Sequence, residues 1–164
     1  DKGRHLAPRG RQEAAAVGVE LADKGIQHVL CSTSQRTRDT FDSLGLKVPV
    51  EYMDALYLGG TSTLRQRISE IDDSITALMV IGHAPSIPSL SAQLAYASQP
   101  KEADEMQCWF PTAAYAAFHI EGPWAALADE DPEVTRLAGI SRPASTSEGA
   151  LSRMCIKTSW AGSP

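Results

Sequence analysis

The sequence has little of what marks several common classes of protein. Its three cysteines are an odd number without a close pair, so neither a disulfide framework nor a zinc site is indicated. No apolar run approaches the ~20 residues that a membrane-spanning helix needs. Basic residues are fewer than acidic ones, 15 against 20, which argues against nucleic-acid binding. Residues 1–5 carry no signal-peptide pattern, and together with reduced thiols this favours a cytoplasmic protein.

Two motifs of common hydrolases are also absent. The Gly-x-Ser-x-Gly turn of many serine hydrolases does not occur. Residues 59–63 are rich in glycine and threonine but lack the lysine of a nucleotide-binding P-loop, so they predict a loop and a helix cap. What is present is a chain of 164 residues, 43% hydrophobic, with a net charge of −5. This composition predicts one globular domain with a substantial core and no membrane partner.

Short apolar strands alternate with helical patterns along the chain. Such alternation predicts a layered α/β domain with a largely parallel sheet. The predicted strands are 26–31, 49–53, 77–81, 113–121 and 134–140, the predicted helices are 9–24, 35–44, 61–72 and 88–97, and residues 100–107 are predicted to form a polar loop.

A histidine directly follows one of the most apolar of these strands. Residues 77–81 are followed by Gly82 and His83, and a helical pattern begins near Pro88. Ligands of open α/β sheets bind at the carboxyl ends of the strands. Histidine is also the side chain best suited to proton transfer near neutral pH. His83 is therefore a candidate site residue, and the alternative is a turn histidine without a role.

A second strand, turn and helix unit places an arginine near the same edge. Strand residues 28–31 are followed by hydroxyl side chains at 32–34, any of which can cap the next helix. Arg36 then falls in the first helical turn, where the helix dipole disfavours a positive charge. A bound phosphate would account for it, because a guanidinium pairs with two phosphate oxygens. The alternative is a solvated surface arginine, which is the preferred interpretation for Arg38.

These segments resemble the histidine phosphatase superfamily, and within it the small SixA-like phosphohistidine phosphatases. The resemblance covers roughly residues 1–127, with the motifs in the family's order. Each motif is weak alone, and the set is fairly specific. The matching pieces are Asp-x-x-Arg-x-Leu-x-x-x-Gly at 1–10, Leu-Cys-Ser-Thr-Ser-Gln-Arg-Thr-Arg-Asp-Thr at 30–40, Leu-Tyr at 56–57, Val-Ile-Gly-His-Ala-Pro at 80–85, Phe-Pro-Thr at 110–112, and Trp124.

The resemblance implies a three-layer sandwich and hydrolysis of phosphohistidine or a small phosphate ester through a phosphoenzyme. It implies that Arg36 and His83 line the phosphate pocket and that the partner is phosphate or a phosphorylated protein or small molecule. No cofactor is expected, and the four histidines suggest no metal site. Glu51 or Asp54, near Tyr57, could protonate a leaving group, although solvated loop charge is the more ordinary interpretation.

The family's nucleophile, the histidine of an Arg-His pair that ends the opening strand, has no match at the expected place. Arg4-His5 has the right composition, but only three residues precede it, so no strand leads in. Arg4 instead matches the arginine of the family's Asp-x-x-Arg-x-Leu segment.

The end of the chain offers a hypothesis for this missing pair. Joined head to tail, residues 157–164 and 1–6 resemble the stretch that follows the family's first Arg-His pair. We therefore hypothesise a circular permutation with a domain at 1–143, a linker at 144–150, and a permuted first strand and loop at 151–164. The alternative is that this segment is a tail outside the fold.

Even a permuted strand would lack the histidine. One alignment places Cys155 at the nucleophile position, where a thiolate with a lowered pKa could attack phosphorus. The alternative for Cys155 is an inert buried cysteine. The sequence thus leaves two functions open: a phosphatase, or a phosphate-binding or regulatory protein that keeps the pocket without the nucleophilic histidine.

Overall fold

A six-stranded sheet forms the centre of the computed structural model, which describes residues 2–108, 110, 114–129 and 134–141 and the backbone of 151–158. The strands are β1 (His28–Ser32), β2 (Val50–Met53), β3 (Ala77–His83), β4 (Tyr115–Ile120), β5 (Thr135–Ser141) and β6 (Leu151–Thr158). Their order in the sheet is β2-β1-β3-β6-β4-β5. β1 is parallel to β2 and β3, and β4 is parallel to β6, whereas β6 is antiparallel to β3 and β5 is antiparallel to β4.

Helices cover the sheet on both faces, which confirms the predicted three-layer α/β sandwich. They are α1 (Pro8–Leu21), α2 (Gln35–Leu44), α3 (Ala55–Leu58), α4 (Thr61–Ser69), α5 (Ser86–Ala95) and α6 (Pro100–Cys108), with a 3₁₀ helix at Trp124–Ala128. Among the described residues, no helix has the length and apolar character needed to cross a membrane.

The alternation of side chains along β1 and β3 divides the core into two parts. Val29 and Met79 pack with α1 and α2, while Leu30 and Val80 pack with α4 and α5 on the other face. All four side chains are fully buried. Because successive strand residues point to opposite faces, both strands need a nearly continuous apolar sequence.

Residues 100–107 form a helix, so the predicted polar loop is wrong. Pro100 stands at the start of α6, where its missing N–H costs no hydrogen bond. Glu102 lies in the first turn, where a negative charge suits the helix dipole. Ala103 and Met106, three positions apart, are buried against the core. The sequence pattern missed this helix because its apolar stripe is short and most of the other residues in the segment are charged or polar.

Two glycines fix the packing of α1 against α2. A Cβ on Gly18 would lie 1.9 Å from the carbonyl oxygen of Leu44, so the close approach of the two helices requires glycine. Gly45 ends α2 in the left-handed conformation, with φ of 70°. The two positions determine where α2 ends and how closely α1 packs against that end.

A buried carboxylate on α2 anchors the segment that precedes α1. Asp39 is only 5% exposed. It accepts hydrogen bonds from the Leu6 N–H at 2.9 Å, from Gln35 at 2.9 Å, and from His5 and Arg11 at 3.0 Å each. Burial alone would raise the pKa of Asp39, but these donors outweigh burial and hold the pKa below its ordinary value. His5 is therefore a partner of α2 and does not end a strand.

Residues 151–158 form a central strand, but its direction differs from what a nucleophile at Cys155 would need. β6 is antiparallel to β3, with Leu151 opposite His83 and Cys155 opposite Met79. The amino end of β6 therefore lies beside His83, and the position of Cys155 is displaced along β3 away from it. This register argues against Cys155 as a nucleophile beside His83. The linker at 144–150 and residues 159–164 lie outside the described residues, so the division at 143 stays a prediction.

We expect Asp39→Ala to lower the free energy of unfolding by ~1–3 kcal/mol at neutral pH, because the buried Leu6 N–H would lose its acceptor. The folded pKa of Asp39 lies below its ordinary 3.8, so wild-type stability should fall as the pH drops from 3.8 through the folded pKa. Asp39→Ala should lack this pH-dependent part of the stability.

Chemical denaturation over a pH series measures both effects. Asp42→Ala, at an exposed position of the same helix, is the matched control and should change stability little. Equal stabilities for the two variants at neutral pH would contradict the role assigned to Asp39.

Candidate active site

The carboxyl ends of β1 and β3 bring a serine and a histidine together. Cys31 pairs with Ile81 across the two parallel strands, so Ser32 and His83 lie at the same edge of the sheet. Ser32 Oγ and His83 Nε2 are 2.7 Å apart, and Ser32 is fully buried. His83 therefore lies at the end of a strand, as predicted, and its contact with Ser32 orients the imidazole ring.

The environment of Ser32 makes this contact a fixed one. The Ser34 N–H donates to Ser32 Oγ at 3.4 Å, and Thr37 Oγ1 donates to the Ser32 carbonyl at 2.7 Å. The His83 ring also makes a T-shaped contact with the Tyr57 ring, with centroids 5.4 Å apart and planes at 83°. A buried hydroxyl and an aromatic ring thus both contact the imidazole.

Arg36 is positioned by the cap of α2. Ser34 is the capping residue, and its Oγ accepts from the Thr37 N–H at 3.3 Å. This places Arg36 in the first turn, half-buried. Within the described part of the chain, the Arg36 guanidinium has no carboxylate or hydrogen-bond partner. An unneutralised cation where the helix dipole already repels it is the arrangement expected of an anion site.

The electrostatics tie Arg36 to His83. Burial lowers the pKa of His83 from its ordinary 6.5, and the positive charge of Arg36 lowers it further. The free protein therefore holds a mostly neutral imidazole at neutral pH. The charge of Arg36 therefore acts on the His83 ring, and the shared phosphate pocket of the two residues stays a prediction.

Arg38 has a structural role, which the sequence did not predict. Its Nε donates to the Thr33 carbonyl at 3.1 Å, and its guanidinium lies 4.1 Å from the centroid of the Tyr52 ring. Stacking on an aromatic face and a backbone hydrogen bond hold the strand-to-helix turn. The interpretation of Arg38 as a solvated surface arginine is therefore wrong.

The two candidate leaving-group acids are not placed as acids. Asp54 accepts hydrogen bonds from Lys2 at 2.8 Å and from Thr33 Oγ1 at 2.6 Å. These contacts lower the pKa of Asp54, whereas a general acid near neutral pH needs a raised pKa. Glu51 faces His28 Nε2 at 3.5 Å, further back on β2. Both contacts are ordinary surface pairs.

Two further possibilities are a cysteine nucleophile next to Ser32 and a bound metal ion. Cys31, next to Ser32, is fully buried, and burial raises the pKa of its thiol to about 12, so it is not a thiolate at neutral pH. In the portion of the chain that the structure describes, no three His, Cys, Asp or Glu side chains cluster closely enough to bind a metal.

Comparisons with known proteins identify the family. The family model of the histidine phosphatase superfamily, branch 1, matches residues 2–57. The uncharacterized protein MT1313 of Mycobacterium tuberculosis is 34% identical over 147 residues, covering 87% of this chain and 91% of that protein. The chain belongs to the histidine phosphatase superfamily. The uncharacterized protein ML1117 of Mycobacterium leprae is 33% identical over 137 residues, which cover 82% of this chain and 85% of that protein.

Solved structures agree with membership of the superfamily. The proposed phosphohistidine phosphatase SixA of Nakamurella multipartitia superposes with a TM-score of 0.74 at 27% identity, over 88% of each chain. A SixA protein of Agrobacterium tumefaciens matches with a TM-score of 0.57 at 24% identity, over 70% of this chain and 76% of that one, and this likeness supports the fold. The predicted SixA-like resemblance is thereby confirmed.

Two contributors to the site escaped the sequence analysis. Ser32 entered it only as one of three candidate caps, yet Ser34 caps the helix and Ser32 contacts His83. Its position as the last residue of a buried strand was the available signal. Tyr57 entered the sequence analysis as part of a matching motif, but its contact with His83 joins segments that are distant in sequence and was not predicted.

We expect Arg36→Gln to raise the pKa of His83, because it removes the positive charge that disfavours the imidazolium. The pKa should still lie below 6.5, since burial remains the larger cause. An NMR titration of the His83 ring, assigned with a His83→Asn spectrum, measures it. Arg38→Gln, two positions along the same helix, is the control and should leave this pKa unchanged. An unaltered pKa in Arg36→Gln would show that the two side chains do not share a site.

Proposed function

We propose that this protein hydrolyses phosphohistidine or a small phosphate ester through a phosphoenzyme, in a pocket built on Arg36 and His83. The observation that carries the proposal is an unneutralised Arg36 whose charge acts on an imidazole that Ser32 contacts. The name of the Nakamurella relative, a proposed phosphohistidine phosphatase, supports the substrate class. Membership of the superfamily supports phosphoryl chemistry in general.

The two side chains divide the work on a transferring phosphoryl group. Arg36 pairs with two equatorial oxygens and offsets their charge as the bond to the leaving group lengthens. His83, oriented through Nε2 by Ser32, presents its ring to the same oxygens and carries a proton once the anion is bound. Such positioned charges usually supply most of the rate acceleration in phosphoryl transfer.

A second function is supported by the state of the cysteines. The backbone of Cys155 lies opposite Met79, four residues before His83 on β3, and burial raises the pKa of the Cys31 thiol to about 12. A protein that recognises phosphate through Arg36 and His83 without turnover is therefore the alternative. It would act as a phosphate-binding or regulatory member of the superfamily.

Turnover assays separate the two functions. With a phosphohistidine peptide and with p-nitrophenyl phosphate, we expect His83→Ala and Arg36→Ala each to lower kcat/KM by ~10²–10⁴, because each removes stabilisation of the transferring group. His119→Ala and Arg136→Gln, on β4 and β5, are the matched controls and should retain activity. Phosphate binding without turnover in the wild type would support the alternative, and neither binding nor turnover would contradict both.

The pH dependence of anion binding is a further test. Sulfate keeps the same charge near neutral pH, so only the protein titrates. We expect its affinity to rise as the pH falls through the pKa of His83, which lies below 6.5 in the free protein, because the bound anion favours the imidazolium. His83→Asn should give a flatter profile. Calorimetric titration measures the affinity, and a wild-type profile as flat as that of the variant would contradict the role of His83.

A further inference from the structure

The chain that leads into α1, together with the first turn of α1, lies along one side of α2. The Lys2 carbonyl accepts a hydrogen bond from the Gln35 N–H at 2.8 Å. About one helical turn further along α2, Arg11 contacts Asp39 at 3.0 Å. Gln35 directly precedes Arg36 in the first turn of the helix. The segment therefore begins beside Arg36 and extends away from it along α2.

This segment exposes positive charge and buries the carboxylates that pair with it. The side chains of Arg9 and Arg11 are 65% and 44% exposed. Their partners Glu13 and Asp39 are only 13% and 7% exposed. Arg4 is exposed as well. A guanidinium carries five N–H donors, so the contact of Arg11 with one buried carboxylate leaves donors for a second carboxylate. We call these three arginines, at positions 4, 9 and 11, the basic surface.

We propose that the basic surface docks an acidic segment of a phosphorylated protein whose phosphorylated residue enters the pocket of Arg36 and His83. The proposal rests on the proposed function, and it selects a protein substrate over a small phosphate ester. Several carboxylates of one segment can pair with the three guanidinium groups at once, which a small ester cannot do. Complementary charge of this kind confers specificity and speeds association.

The distances suit a short segment of the partner. Gln35 and Asp39 are four residues apart on α2, which is a rise of about 6 Å. Because an extended chain spans ~3.4 Å per residue, acidic residues roughly two to five positions from the phosphorylated residue can reach the basic surface. One segment can therefore fill the phosphate pocket and contact the basic surface together.

The charge of the whole chain favours a short acidic segment over a long polyanion. The net charge is −5, so the positive charge of the basic surface is a local feature of an acidic protein. A nucleic acid would extend past this surface towards acidic parts of the protein, where like charges repel it. A local cluster of carboxylates avoids that repulsion.

Peptides that differ only in their flanking charges separate docking from phosphate recognition. Each carries at its centre a phosphonate analogue of phosphohistidine, in which a P–C bond replaces the P–N bond, so binding is measured without turnover. The flanks are glutamate, glutamine or lysine, and binding is followed by fluorescence anisotropy. We expect the glutamate peptide to bind about tenfold more tightly than the glutamine peptide, and the lysine peptide to bind most weakly. Added salt should reduce these differences.

Charge reversal tests the location of the docking surface. The double variant Arg4→Glu/Arg9→Glu should bind the lysine peptide more tightly than the glutamate peptide, whereas Arg11 is kept because its contact with a buried carboxylate is structural. Lys47→Glu/Lys101→Glu, at exposed positions before β2 and on α6, changes the net charge equally and should keep the wild-type order. A reversed preference needs a folded protein, so lost stability cannot produce it.

Competition with inorganic phosphate reports the phosphate pocket separately. If phosphate displaces the peptides but all three bind alike, or if Arg4→Glu/Arg9→Glu keeps the wild-type order, the docking surface is overturned while the phosphate pocket stands. An equal change of order in the two double variants would also overturn it, because net charge alone would then explain the preference. Equally tight binding of a single-stranded oligonucleotide with the charge of the glutamate peptide would overturn the acidic protein as the partner. If neither phosphate nor any peptide binds, the proposed function itself fails.

Discussion

The hydrogen bond between Ser32 Oγ and His83 Nε2, at 2.7 Å, depends on the parallel register of β1 and β3. Both strands are buried on their two faces, so the alternation of Val29 and Leu30, and of Met79 and Val80, fixes which side chains face each layer. A slip of one residue would exchange these faces and separate the serine from the histidine. The packing of the core therefore sets the geometry of the candidate site.

The site is also electrostatically incomplete in the free protein. Arg36 lies where the dipole of α2 repels a cation, and it lowers the pKa of the neighbouring His83. In the proposed pocket, a bound oxyanion would offset both effects, since it would pair with the guanidinium and favour the imidazolium. By linkage, protonation of His83 and binding of an anion must strengthen each other by the same factor. The two features are thus a single property of the site.

The sequence predicted what local pattern determines and missed what only packing determines. The sequence predicted His83 from the end of a strand and Arg36 from the capped start of a helix. Both predictions need only the direction of the chain, which places these two residues at one edge of the sheet. The contact of Ser32 with His83 and the stacking of Arg38 on Tyr52 join segments that are distant in sequence or depend on rotamers. α6 was missed because its buried stripe is only Ala103 and Met106. The antiparallel direction of β6 is likewise a tertiary property that no local pattern carries.

The pairing of Asp54 bears on which of the proposed substrates this site could act on. Asp54 is held ionised by Lys2 and Thr33, so it is poorly suited to protonate a leaving group. Alkyl esters need such an acid, whereas a phosphoramidate nitrogen protonates readily and a phenolate leaves without much help. The proposed hydrolysis of a phosphoramidate is therefore compatible with an Asp54 that stays ionised.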